Sequence, residues 1–310
     1  MPHEVLVHTG DGTGGSGKGT IGSWLSKQGV PHLDTGQGYR AVTEYWLRVQ
    51  AEADANFDRS DTERLRQQAR AFTEDEEHLA QFADSLSRTV AFGVEGVRID
   101  TDHIPLANIP QVLYHDAIND VISFLARKEA VRSFCGNISV RFVLDAAERE
   151  LDSVYLDGRS ERNVMIRGLR QNLRLRQQAR LGLPAFFKVD VVEAAHRTLS
   201  RDKDIPYRTL SNDDPIVRTR ARSLSERNAR DSDSSNHADP MALTKDHLVA
   251  WSTETDARLW HGKVELVVGR QPDGSDSRHV LFDTNGRTVE ETRAEYGRWV
   301  EGVSQHSRPQ

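Results

Sequence analysis

Gly12-Thr13-Gly14-Gly15-Ser16-Gly17-Lys18-Gly19-Thr20 follows closely on a short apolar run, Val5–Val7. This order reads as a strand, a glycine-rich turn and the opening of a helix. Glycines let successive backbone N–H groups converge on one centre, and a helix that starts there adds its positive N-terminal end. Such a turn suits phosphate. Gly12, four intervening residues and then Gly17-Lys18 match the spacing of nucleotide-binding turns, in which the lysine brings a mobile ammonium to the phosphates. The usual next residue is Ser or Thr; here it is Gly19, with Thr20 one step later. Gly12, Gly14, Gly15, Ser16, Gly17, Lys18, Gly19 and Thr20 are the candidate phosphate-binding residues.

Working outward, strand-like runs occur at Glu4–His8, Pro31–Leu33, Ser153–Leu156, Phe186–Val189 and His279–Phe282. Helical stretches separate them, which predicts crossover connections and a parallel sheet of roughly five strands. Polar turns follow several runs: Asp11-Gly12, Asp34-Thr35-Gly36 and Asp157-Gly158-Arg159. In a parallel sheet these turns fall at the carboxyl ends of the strands, where ligands bind. Residues 37–152 read as mainly helical, with Asp61–Leu86 amphipathic and a small hairpin around Gly93 and Gly96. Residues 41–135 are expected to form an inserted acceptor-binding subdomain. Residues 198–239 are polar, nearly devoid of core residues, and read as a lid-like segment. Residues 241–278 form an extra segment with a strand at Val264–Val268 and a turn through Pro272–Ser275.

The 310 residues suffice for one large α/β domain with insertions or for two domains. A net charge of −6 gives no general attraction to nucleic acid. The heptapeptide Arg-Leu-Arg-Gln-Gln-Ala-Arg occurs at Arg64–Arg70 and at Arg174–Arg180, and both copies read as exposed basic helical faces. No apolar run is long enough to span a bilayer, and Met1-Pro2-His3-Glu4 lacks the regions of a signal peptide. A single cysteine, Cys135, precludes a disulfide within the chain, so the cytoplasm is the expected compartment.

Three further segments join the turn: His32-Leu-Asp-Thr-Gly-Gln-Gly-Tyr-Arg40, Leu156-Asp-Gly-Arg159 and Glu226-Arg-Asn-Ala-Arg-Asp231. In this order they resemble the motifs of bacterial cytidylate kinases, and Val280–Thr292 is similar to that family's last strand and helix. Ser123 precedes Arg132 by nine residues, as that family's base-reading serine and arginine do. The resemblance implies a single domain of P-loop kinase fold and ATP with magnesium as cofactors. It implies that Lys18 and the turn's amides hold the ATP phosphates. Thr35, Arg40 and Arg159 would bind the acceptor phosphate, Ser123 and Arg132 would face a pyrimidine, and Arg227 and Asp231 would lie near the ribose. Asp157 would sit near the magnesium, with Lys18, Arg159 and Asp157 as the catalytic set. Thr20 is the candidate magnesium ligand.

These residue types suit phosphoryl transfer, which needs two anionic substrates aligned and their charge neutralised. Arginine grips phosphate through a planar fork and stays protonated. Arg197, Arg201, Arg218, Arg220 and Arg222 are further candidates to close over the transferring group. The chain also departs from the pattern. Ser160 replaces an acid, a basic stretch at 161–182 replaces a Gly- and Val-rich one, and Ser234 stands where an arginine is expected. The expected activity is phosphoryl transfer from ATP to a nucleoside monophosphate, CMP, dCMP or a related pyrimidine nucleotide. The alternatives are a kinase for a non-nucleotide or nucleic-acid-linked acceptor, and an ATP-binding regulatory module without turnover.

Overall fold

A computed structural model describes residues 3–158, 161–203, 205–232, 248–250, 265–270 and 276–306. The chain divides into two compact units. One takes Met1–Val5, Leu33–Asp152 and Gly168–Ala179; the other takes Leu6–His32, Ser153–Arg167 and Arg180–Gln310.

One sheet consists of β1 (Val5–Gly12), β2 (His32–Asp34), β6 (Ser153–Asp157), β7 (Ala179–Lys188), β8 (Leu248–Ala250), β9 (Glu265–Arg270) and β10 (Asp276–Asp283), in the order β2-β6-β1-β7-β10-β9-β8, and most of it belongs to the second unit. The five runs read from the sequence are the first five of this order. β1 pairs in parallel with β6 and β10 in parallel with β7, while β9 pairs antiparallel with both β10 and β8. The architecture is therefore α/β with a mostly parallel sheet, extended at one side by an antiparallel meander. That meander contains the described part of the extra segment; Trp251, Trp260 and the 272–275 turn lie outside the described residues.

All eight residues of β1 are buried, as expected for a central strand. From β1 the chain goes first to β2, returns through β6 on one side of β1, and then places β7 on the other side. The carboxyl end of β1 is thus a topological switch point, the place where open α/β sheets form ligand crevices. Helix α1 (Lys18–Ser26) and the last helix, α12 (Val289–His306), close one core with the sheet. There Ile21 and Leu25 meet Tyr155, Phe187, Phe282 and Trp299. Phe187 stacks on Phe282 with ring centroids 5.1 Å apart, and Tyr155 meets Tyr296 edge to face. Such pairs add about 0.5–1.5 kcal/mol beyond simple burial.

Residues 198–232 are not without a core. Helices α10 (Val191–Lys203) and α11 (Pro215–Ser232) bury Leu199, Val217, Ala221 and Leu224 against Ala194 and Ala195. The apolar positions are few but recur at helical spacing, so two short faces suffice.

The first unit is mainly helical: α2 (Gly36–Ala53), α3 (Thr62–Glu74), α4 (Glu76–Thr89), α5 (Ile109–Leu113), α6 (Asp116–Leu125), α7 (Glu129–Glu148) and α9 (Leu173–Gln178), with α8 (Glu161–Gln171) running into it. Asp61 and Asp75 cap α3 and α4 by accepting the N–H groups of Arg64 and His78. The hairpin expected around Gly93 and Gly96 is present as β3 (Val90–Gly93) and β4 (Gly96–Ile99), and a third strand, β5 (Asp102–Pro105), joins it antiparallel. Trp46, Leu65, Leu86 and Phe142 are fully buried in this unit. The second heptapeptide differs from its expected all-helical form: Arg174–Gln178 is helical, and Ala179-Arg180 begins β7.

Candidate functional site

At the end of β1 the backbone passes through the glycine turn and enters α1 at Lys18. Gly17 is the N-cap residue, with φ 91°, a left-handed conformation that favours glycine, and no side chain caps the helix. The first N–H groups of α1 therefore have no side-chain oxygen competing for them. Lys18 folds back over the turn, its Nζ donating to the Thr13 carbonyl at 3.2 Å. The Thr13 and Ser16 hydroxyls are buried and make no hydrogen bond within the described residues. A buried hydroxyl left in that state costs about 1–3 kcal/mol, so the turn carries a polar deficit that a ligand would relieve.

Behind the turn stands α10. Gly15 has φ 77°, and a Cβ there would sit 3.0 Å from Ala194 backbone atoms, so this close approach requires glycine. Arg197, one turn further along α10, donates to the Gly15 carbonyl at 3.5 Å and to Thr284 Oγ1 and O at 3.1 and 2.6 Å. Thr284 Oγ1 also lies 3.1 Å from the Ser16 carbonyl. Arg197 is one of the candidates to close over the transferring group; its guanidinium joins the turn to the loop after β10. Its Nε is held by Glu193, which Arg208 and Tyr207 also engage. Burial would raise the pKa of Glu193, but hydrogen bonds from Tyr207 and Arg208 and the charge of Arg197 bring it below the usual carboxylate value. Of the other arginines in that expectation, Arg218 pairs with Asp213, Arg220 donates to Thr198, and Arg201 and Arg222 are exposed.

Asp157 ends β6 and is 2% exposed as a side chain. Its Oδ2 lies 3.4 Å from where a Cβ at Gly19 would be, so it faces the first turn of α1. His32 Nε2 stands 3.4 Å from Asp157 Oδ1, with its ring against Gly22 and 5.6 Å from that of Tyr155. A second buried carboxylate, Asp11, accepts the N–H groups of Glu161 and Arg162 at 2.5 and 3.2 Å, which anchors the start of α8 to the end of β1. Arg162 is itself largely desolvated; burial lowers its pKa to about 10 against the opposing charge of Asp11, and it remains cationic at neutral pH. Sequence reasoning did not place His32, Arg162 or Thr284 in the site, nor Asp11 beyond its turn. Only the Asp-Gly and Asp-Thr-Asn-Gly steps after apolar runs signalled two of them.

In the first unit, Thr35 is buried at the start of α2. Arg40, one turn on, lies with its guanidinium carbon 4.0 Å from the centre of the Tyr114 ring and donates to the Leu113 carbonyl and to Asn119 Oδ1, at 3.2 and 2.8 Å. Tyr114 donates to Asp34 Oδ2 at 3.0 Å. The α6 side chain that meets Arg40 is thus Asn119, one turn before the exposed Ser123. Arg132 is paired with Glu129 at 3.0 Å. Arg159 lies outside the described residues; Arg227 and Asp231 lie on α11, where only their backbone is described.

Among the described residues no three His, Cys, Asp or Glu side chains form a metal cluster, and no helix is long and apolar enough to cross a membrane. In comparison with models of known families and with curated proteins, the chain matches none of them. Its own residues therefore carry the reading: a mostly parallel α/β sheet whose switch point ends in a glycine turn.

Proposed function

We propose that this chain is an ATP-dependent P-loop kinase that phosphorylates a nucleoside monophosphate, CMP, dCMP or a related pyrimidine nucleotide. The single observation that carries the reading is the turn at the end of β1. It leads into an uncapped helix N-terminus, with Lys18 folded over it and the Thr13 and Ser16 hydroxyls buried without hydrogen bonds. Anionic phosphates satisfy all three features together. The amides of residues 14–19 and Lys18 would hold the ATP phosphates.

Asp157 beside Gly19 fits a magnesium site, since magnesium takes one or two protein oxygens and completes its shell with phosphates and water, and the Thr20 hydroxyl would supply the second oxygen. Bound there, magnesium supplies neutralisation of the β- and γ-phosphate oxygens. Thr35 and Arg40 would take the acceptor phosphate, with Arg159 supplying a second fork. Residues 41–135 would serve as the acceptor subdomain and 198–239 as the lid.

Release of ADP, coupled to a panel of ribo- and deoxyribonucleoside monophosphates, tests this. Turnover with a pyrimidine monophosphate is expected; silence with every nucleotide, from folded protein, refutes it. A second reading, a kinase with a different acceptor, draws on the expected base readers: Ser123 is exposed, and Arg132 is paired with Glu129. Binding of ATP with no turnover of any mononucleotide would select it.

A further inference from the structure

We infer that Arg197 and Thr284 form a latch behind the glycine turn and act as positioning residues for its phosphate-binding face. The inference rests on the reading of that turn as a phosphate site.

A trans peptide points its C=O and N–H in opposite directions. The Ser16 carbonyl accepts from Thr284 Oγ1 at 3.1 Å, and the Gly15 carbonyl receives a long, 3.5 Å approach from Arg197 Nη1. The N–H groups on the far sides of these two peptide planes belong to Ser16 and Gly17. Fixing the carbonyls behind the turn thus aims two amides to its front. The Ser16 N–H makes only a long, 3.4 Å approach to the Thr13 carbonyl, so that contact and the one behind set its direction together.

The latch is built from fixed parts. Thr284 is 1% exposed, and its backbone N–H is tied to the Lys188 carbonyl at 2.9 Å, so it stands at the joined ends of β7 and β10. Its Oγ1 lies within 3.1 Å of Arg197 Nη1, Ser16 O and Lys188 O, one donor approaching and two carbonyls in reach. Arg197 is braced by Glu193, 6% exposed as a side chain, whose other oxygen takes Arg208 Nη2 at 2.7 Å. The packing of Gly15 on Ala194 brings α10 close enough for Arg197 to reach the turn. Preorganisation of donors in this way separates an anion site from an ordinary glycine loop, because the amides need no reorientation when the phosphate arrives.

The test is the affinity of the full chain for magnesium-ATP, measured by calorimetry well below each variant's melting temperature. Thr284→Val keeps the shape and removes the hydroxyl; Arg197→Lys keeps the charge and removes the fork. Each should weaken binding by roughly tenfold or more, on the scale expected when binding groups are misplaced. Thr284→Ser should return affinity to within about threefold, since it restores the hydroxyl. The affinity of the folded protein is the decisive readout, because a purely structural role lowers the melting temperature and leaves that affinity unchanged. Wild-type affinity in both folded Thr284→Val and Arg197→Lys overturns the latch while leaving the phosphate reading intact. No magnesium-ATP binding by the wild-type chain overturns both. If Thr284→Val does not fold, Arg197→Lys and Thr284→Ser decide: a loss in the first with retention in the second supports the latch, and unchanged affinity in the first overturns it.

Discussion

The carboxylate of Asp11 accepts the backbone N–H of Glu161 at 2.5 Å, joining the end of the first strand to the start of a helix 150 positions later. The second oxygen takes the N–H of Arg162. One buried side chain thus satisfies two helix donors. Asp11→Ala should lower stability by about 1–3 kcal/mol, the usual cost of leaving such groups unpaired. Asp11→Asn should cost less, because it keeps an acceptor oxygen. Urea unfolding monitored by circular dichroism measures both, and equal stability of Asp11→Ala and wild type would contradict the anchoring role.

The Lys18 side chain reaches back over the turn to the Thr13 carbonyl and does not belong to the apolar cluster that α1 forms with the sheet. Lys18→Ala should therefore leave the circular dichroism spectrum and melting temperature close to wild type. It should reduce phosphoryl transfer by about 100-fold or more, as expected when a charge acting on the transferring group is lost. Wild-type turnover in this variant would refute the assignment.

Arg40 is held face-on to Tyr114 and by two oxygens of the same unit, so its direction is set before any ligand arrives. Arg40→Ala should raise the acceptor KM by roughly 10- to 100-fold, the equivalent of one or two charge-assisted hydrogen bonds. The dissociation constant for ATP should not change. Tyr114→Phe keeps the ring under the guanidinium and loses the bond to Asp34, so its effect should be much smaller. Initial rates across acceptor concentration, with a separate ATP titration, give the comparison.

His8 lies on β1, 2% exposed, and burial lowers its pKa from 6.5 to about 4. The unfolded chain takes up a proton near pH 6.5, whereas the folded chain does so only near pH 4. Between these values the unfolded state binds more protons, so stability is fully present above about pH 6.5 and falls as pH drops. The loss approaches about 3 kcal/mol by pH 4. His8→Gln should flatten this part of the profile. Denaturant midpoints at pH 7, 5.5 and 4.5, compared between the two proteins, measure the difference.

The central strands and the glycine turn were legible because their signals are local. Val5–Val7 is an apolar run, and the glycines that follow have the spacing of a turn before a helix. The starting point of β7 was not legible, since Gly182 and Pro184 argue against a strand in Ala179–Pro184 and only the neighbouring strands recruit it. Arg197 shows the same limit within the site. Its sequence context is polar, which suggested a solvent-facing lid residue, yet the close approach of Ala194 to Gly15 turns it under the turn. Asn119, which meets Arg40, carried no signal of its own, because spacing along one helix does not say which turn faces another element.

The repeated heptapeptide separates the two kinds of information most sharply. Both copies follow a capping residue, Asp61 or Asn172, whose side chain accepts the N–H three positions later. Both bury their leucine and their alanine: Leu65 and Ala69 in one, Leu175 and Ala179 in the other. Sequence alone determined that much, since caps and apolar spacing act within a few residues. Yet the first copy remains helical to its end, and the second leaves its helix at Gln178 to begin β7. Seven identical residues have identical intrinsic propensities, so the difference comes from beyond them. Propensity is worth tenths of a kcal/mol per residue, whereas the second copy leads into a strand that hydrogen-bonds with β1 on one side and β10 on the other. That long-range pairing, available only in the folded sheet, decided where helix ends and strand begins.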